Sequence, residues 1–263
     1  MKKILLSTLL FSLPLVSFAQ QQFVNPQDAA TAFANAVSTR NEPQLSALLG
    51  ENWRQFLPPE GADPEAVARF ERDWKISHRI EQQGDTAHIN VGADSWQLPL
   101  PIIKTEAGWH FDMQAAQEEI LTRTIGRNEL SAIGAMHAYV DAQEDYRLRK
   151  QRYASKLISS EGQQDGLYWA AKPGETPSPL GPAFSPVTPG EGYHGYRFRI
   201  IDSNQSDGFA LIAWPVEYGE TGVMSFMVSQ DDRVYQADFG EETAEKVAAI
   251  TRFDAAAPWQ PEE

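Results

Sequence analysis

From Asn25 onward, apolar residues recur at intervals of three and four. Ala29, Phe33, Ala36 and Val37 share one helical face. Asn25-Pro26-Gln27-Asp28 supplies the start, with an N-cap side chain, Pro at the first helical position and an acid against the dipole. A second short helix is predicted from about Pro43, with Leu45, Leu48 and Leu49 inward and Gly50 as its stop. Asp63-Pro64-Glu65 repeats the start signal, and Ala66, Val67, Phe70 and Trp74 keep the helical spacing. Past Trp74 the period falls to two. Ile76, His78 and Ile80 alternate with polar neighbours, Gly84-Asp85 turns the chain, and Ala87, Ile89 and Val91 alternate again. Trp96, Leu98 and Leu100 extend the pattern, and Glu106-Ala107-Gly108 leads into a last strand at Trp109-His110-Phe111.

The second half reads differently. Asp112 caps a helix to about Arg123, Gly126 interrupts it, and Asn128 caps a longer helix to about Leu157 with Ile133, Met136, Val140, Tyr146, Tyr153 and Leu157 on its apolar face. Between Ser159 and Gly192 six Gly and six Pro break any period. Four strands follow, at Tyr196 to Ile201, Phe209 to Trp214, Val223 to Val228 and Val234 to Phe239, and a helix over Glu241 to Ile250 closes the chain. The predicted class is α+β. Helices plus a curled antiparallel sheet occupy residues 20–123, and a long helix packed on a four-strand antiparallel meander occupies residues 124–263.

The first of these orders resembles the cone-shaped fold of nuclear transport factor 2. The second, with Tyr193-His194-Gly195-Tyr196-Arg197-Phe198 and Phe226-Met227-Val228, resembles the soluble head of a type IV pilin or pseudopilin. A pilin helix follows a membrane-spanning apolar segment, whereas here a polar helix precedes it, so pilin-type polymerisation is not implied.

Longer stretches resemble a bacterial secreted family, domain of unknown function 2950. They are Gly108-Trp109-His110-Phe111-Asp112, Ile125-Gly126-Arg127-Asn128-Glu129-Leu130, Ala138-Tyr139-Val140-Asp141-Ala142-Gln143 with Tyr146, Gln164-Asp165-Gly166-Leu167-Tyr168-Trp169, Ser178-Pro179-Leu180-Gly181, His194-Gly195-Tyr196, and Gly208-Phe209-Ala210 to Trp214-Pro215. The resemblance implies a secreted protein of unassigned activity.

Charge narrows the partners. The 263 residues carry 36 acidic and 22 basic side chains, a formal charge of −14, which opposes both nucleic acid and anionic lipid. Lys2 and Lys3, the apolar run Ile4 to Val16 and the small residues at Ser17-Phe18-Ala19 predict a signal peptide over residues 1–19, cleaved after Ala19. That run is too short for the ~20 residues of a membrane span. The expected location is a bacterial periplasm. With no cysteine, the fold relies on its core without disulfides, and thiolate chemistry is excluded.

Nucleophile-elbow, zinc-helix, phosphate-loop and dinucleotide patterns are absent, and no cofactor or metal is expected. Among the histidines, His78 falls on the Ile76/Ile80 face, His88 opposite Ala87 and Ile89 toward solvent, and His137 at a core edge beside Val140, bonded to a backbone carbonyl. The loop Asp202 to Gly208 fails the EF-hand register and reads as a polar hairpin turn. The broken segment after Ser159 mixes rigid aromatics with polar tips, a composition suited to sugar or peptide contact. Asp165, Tyr168, Trp169, Tyr193, His194 and Tyr196 are the candidate binding residues, unless the aromatics only pin the segment to the sheet.

The expected function is a non-catalytic binding protein of the cell envelope, taking a glycan or an envelope protein through this segment. A small apolar ligand could occupy a cone lined by Phe33, Trp74, Trp96, Trp109 and Phe111. The alternatives are a cell-wall or carbohydrate hydrolase using Asp165, Glu191 or His194 as acid and base, and a scaffold in pilus or secretion assembly.

Overall fold

The computed structural model describes residues 20–56, 62–181 and 192–262. The expected signal segment, Phe184 and Glu191 lie outside the described residues. The chain divides into two compact units between Ile120 and Leu121.

In the first unit each predicted start signal forms a cap. Asn25 Oδ1 accepts from the Asp28 amide at 2.8 Å and opens α1 (Pro26–Ser38). Asn41 does the same for α2 (Glu42–Leu49), which stops at Gly50 in the left-handed region, and Asp63 caps α3 (Pro64–Ile76). The sheet comprises β1 (His78–Gln83), β2 (Thr86–Val91), β3 (Trp96–Gln97), β4 (Ile102–Thr105) and β5 (Gly108–Phe111). Its order is β1-β2-β4-β5, all antiparallel, with β3 also on β2. Alternation along β2 sends Ala87, Ile89 and Val91 into a core shared with Ile102, Trp109, Phe111 and the inner helical faces.

Three rings that were expected to line a cone are packed in that core. Phe33 meets Phe70 at 5.7 Å and Phe111 at 5.4 Å between ring centroids, and Trp109 is buried. Trp96 instead stands 51% exposed. A groove of about 190 Å³ is lined by Ala34, Phe70 and Trp74 among others.

One helix, α4 (Met113–Lys150), replaces the two predicted between Asp112 and Leu157. Asp112 Oδ1 caps it, accepting from Gln114 and Ala115. Gly126 continues the helix, because the ~1 kcal/mol cost of one glycine is too small to break it without a proline or a competing cap. The helix ends at Lys150, where Gln151 enters the left-handed region, so Tyr153 and Leu157 belong to the irregular segment.

In the second unit β6 (Tyr196–Ile201), β7 (Ala210–Pro215), β8 (Met224–Ser229) and β9 (Tyr235–Asp238) form the predicted meander, and β10 (Gln260–Pro261) adds a fifth strand beside β9. Alternation supplies two apolar faces. Leu211, Ala213, Phe226 and Val228 pack on Met136, Tyr139 and Tyr146 of α4. Ile212, Met227 and Ala237 are covered by Val247 of α5 (Thr243–Ala249) with Phe253 and Trp259. A sheet buried on both faces explains why β7 lacks a polar side.

Candidate functional site

The described part of the Gly- and Pro-rich segment is stitched to the end of α4. Gln143, fully buried, donates to Ala154 O and to the Tyr139 hydroxyl, each at 2.9 Å, and accepts from the Ala154 amide at 2.8 Å. Tyr146 donates its phenol to Gln164 O at 3.1 Å. The backbone of Lys156 to Ser159 pairs with Leu167 and Tyr168 through Leu167 N–H to Lys156 O at 3.1 Å, and Tyr168 N–H to Leu157 O and Ser159 N–H to Tyr168 O, both 2.8 Å. Gly166 sits where a side chain would strike the backbone of Ile158 and Ser159. These bonds satisfy polar groups that could not otherwise be buried beside Leu167 and Leu180.

Asp165 closes this knot. Its carboxylate accepts from Lys156 Nζ at 2.6 Å, the Ser160 amide at 2.7 Å and the Ser160 hydroxyl at 3.0 Å. Lys156 first, and then the Ser160 N–H, hold its pKa well below the usual carboxylate range. Trp169 is buried, its indole N–H donating to Thr176 O at 3.3 Å, and Tyr168 is partly buried against the same core. Beside them opens a groove of about 350 Å³ lined by Arg149, Lys150, Gln164, Trp169 and Thr176.

The other three candidate residues lie elsewhere. Tyr193 and Tyr196 exchange backbone bonds of 2.7 and 3.0 Å around a two-residue turn, and His194 and Gly195 both take positive φ, as a type I′ turn requires. Gly195 presses on Asn128 of α4, where an added Cβ would stand 3.0 Å from Nδ2. Asn128 donates to Thr221 O at 2.9 Å, and Glu129 Oε1 accepts from the Val223 and Met224 amides at 3.0 Å each. Tyr196 is wholly buried, its hydroxyl donating to Met224 O at 2.8 Å, and burial followed by the Glu129 charge raises its pKa. His194 is exposed, and Tyr193 is half-buried edge-on to it at 4.3 Å.

The six residues therefore form two groups. The helix rises ~1.5 Å per residue, so Asn128 and Tyr146, which anchor the groups, stand roughly 27 Å apart along it. Asp165 and Trp169 belong with the groove, and His194 and Tyr196 with the turn. Burial leaves Tyr196 no surface to offer a ligand and Trp169 only an edge, at the groove. The proposed Asp165/His194 acid–base couple is not assembled, and Glu191 lies outside the described residues.

The histidines depart from their predicted places. His78 is exposed and stacks on Trp74 at 4.1 Å, because Ile76 ends α3 and is itself 60% exposed. His88 is partly covered, its Nε2 3.6 Å from Glu119. His137 is exposed and meets Asp232 Oδ1 at 2.7 Å, not a backbone carbonyl. Near the turn, Glu217 and Glu220 share a hydrogen bond that raises the pKa of Glu220. Among the described residues no three His, Asp or Glu side chains converge as metal ligands, and no helix is long and apolar enough to cross a membrane.

The groove residues Arg149, Lys150, Gln164 and Thr176 were not singled out by the sequence analysis. Their signal is compositional. Arg147, Arg149, Lys150, Arg152 and Lys156 place five of the chain's 22 basic residues within ten positions.

No curated protein and no solved structure matches the chain. The model of one family, described as a protein of unknown function (DUF2950), matches residues 20–261. The stretches quoted above for that resemblance include Asn128, Glu129, Gln143, Tyr146, Asp165, Gly166, Gly195 and Tyr196, the residues that tie loops to α4 and to the sheet. With nearly its whole length matched, the chain belongs to the DUF2950 family.

Proposed function

We propose that this protein is an exported, non-catalytic binding protein of the bacterial cell envelope, and that its second unit takes its ligand in the groove at the end of α4. The observation that carries the reading is the convergence of Arg149, Lys150, Gln164, Trp169 and Thr176 around one concave surface. Trp169 and the backbone of Gln164 are fixed from behind, by Thr176 O and the Tyr146 phenol, so the groove is preorganised. The hydrolase reading loses support from the same geometry. Asp165 is neutralised by Lys156, and its would-be partner His194 stands at the far end of the helix segment. A scaffold role in pilus assembly has only element order behind it.

The test is co-sedimentation of the full protein with washed envelope fragments from its own cells, with Lys150→Gln/Thr176→Val as the groove variant. Binding by the wild type that the variant loses, with an unchanged melting temperature, supports the proposal. Wild type remaining in the supernatant, or a variant that sediments equally well, contradicts it.

A further inference from the structure

We infer that the groove recognises an oxyanion on a small polar ring, the chemistry of a sugar acid or a sugar phosphate; this rests on the groove being the binding site. The hydrogen-bonding groups of the groove point to this ligand. Each acceptor that touches its cationic wall already takes one donor. Both Asp145 oxygens take Arg149, Pro177 O takes Arg149 Nη1 at 2.8 Å, and Gln164 Oε1 takes Lys150 Nζ at 3.2 Å. Thr176 O takes the Trp169 indole, and Glu175, on the adjoining turn, takes the Lys172 amide at 3.0 Å.

Donors remain. A lysine ammonium has three hydrogens and Lys150 uses one of them, while Arg149 has two of its five N–H groups beyond its three bonds. Among the described residues the Gln164 amide nitrogen and the Thr176 hydroxyl have no partner.

Charge points the same way. Arg147 is balanced by Glu144, Arg149 by Asp145 and Lys156 by Asp165, whereas Lys150 has no carboxylate partner among the described residues. Free donors beside an unbalanced cation favour an acceptor-rich anion. The neutral donors beside it suit ring hydroxyls, and the Trp169 edge gives the ring an apolar wall. A groove of about 350 Å³ is at the small end for ligand clefts, which favours a single ring over a polymer segment.

Isothermal titration of the full protein at low ionic strength tests this with galacturonate, glucose 1-phosphate and glucose as probes. At least one anion is expected to bind about tenfold more tightly than glucose, the scale of one charge-assisted hydrogen bond. Binding of galacturonate alone assigns the carboxylate, and of glucose 1-phosphate alone the phosphate. Lys150→Gln is expected to bring the anion down to the glucose value, while the remote surface variant Lys104→Gln leaves it unchanged. Equal binding of glucose and the anions overturns the oxyanion inference and leaves the groove as a neutral-ligand site. Failure of both anions to bind at millimolar concentration, while envelope fragments still sediment the wild type, also overturns it and spares the broader proposal. Failure of both experiments removes both readings.

Discussion

Gln143 shows what a single side chain contributes here. Its amide is the only partner among the described residues for both backbone groups of Ala154, and it also bonds the Tyr139 hydroxyl. Gln143→Ala strands that buried N–H and C=O together, at roughly 1–3 kcal/mol for each unsatisfied group. A loss of about 3 kcal/mol in urea unfolding is therefore expected, against less than about 0.5 kcal/mol for an exposed control such as Gln27→Ala. Asp165 carries a pH dependence of known sign. Its folded pKa is depressed, so the stability it contributes is complete above the ordinary carboxylate pKa of about 4 and fades as pH falls toward the folded value. Wild type should lose more stability than Asp165→Asn on acidification below about pH 4. Parallel pH profiles of the two would contradict the Lys156–Asp165 assignment.

At the scale of elements, local signals and long-range ones separate cleanly. The caps at Asn25 and Asp63, the period-two run of β2 and the meander from β6 to β9 could all be read from neighbours within a few residues. Two helices read in place of α4 reflect too much weight on Gly126. Nothing stands within 4 Å of where its Cβ would go, so Gly126→Ala should stabilise the protein by about 0.5–1 kcal/mol and raise its melting temperature. Gly222→Ala should lower it, because the new methyl would overlap the Tyr196 phenol. The candidate site was less accessible from sequence. Aromatics in the broken segment were visible, but whether Trp169 and Tyr196 face solvent or core depends on Thr176, Met224 and α4, all set by tertiary packing. The same holds for the separation of Asp165 from His194, which follows from helix length and from which end each loop returns to.

For the molecule as a whole, a formal charge of −14 makes the basic groove a local exception. General attraction to anionic envelope material is opposed by the rest of the surface, so binding should depend on short-range contacts at Arg149, Lys150, Gln164 and Thr176. Added salt then acts in two directions. It screens the long-range repulsion over ~8–10 Å and weakens the exposed Lys150 contact. Co-sedimentation measured against salt concentration should therefore change much less than for a uniformly basic binder, and a steep monotonic loss would place the binding outside the groove.

The most direct test is hydrogen-exchange mass spectrometry of the full protein with and without envelope fragments. The expected result is added protection confined to residues 145–152 and 164–178, absent in Lys150→Gln/Thr176→Val. Protection at the 193–196 turn and the adjoining residues 217–222, with none at the end of α4, would contradict the assignment of function to the groove.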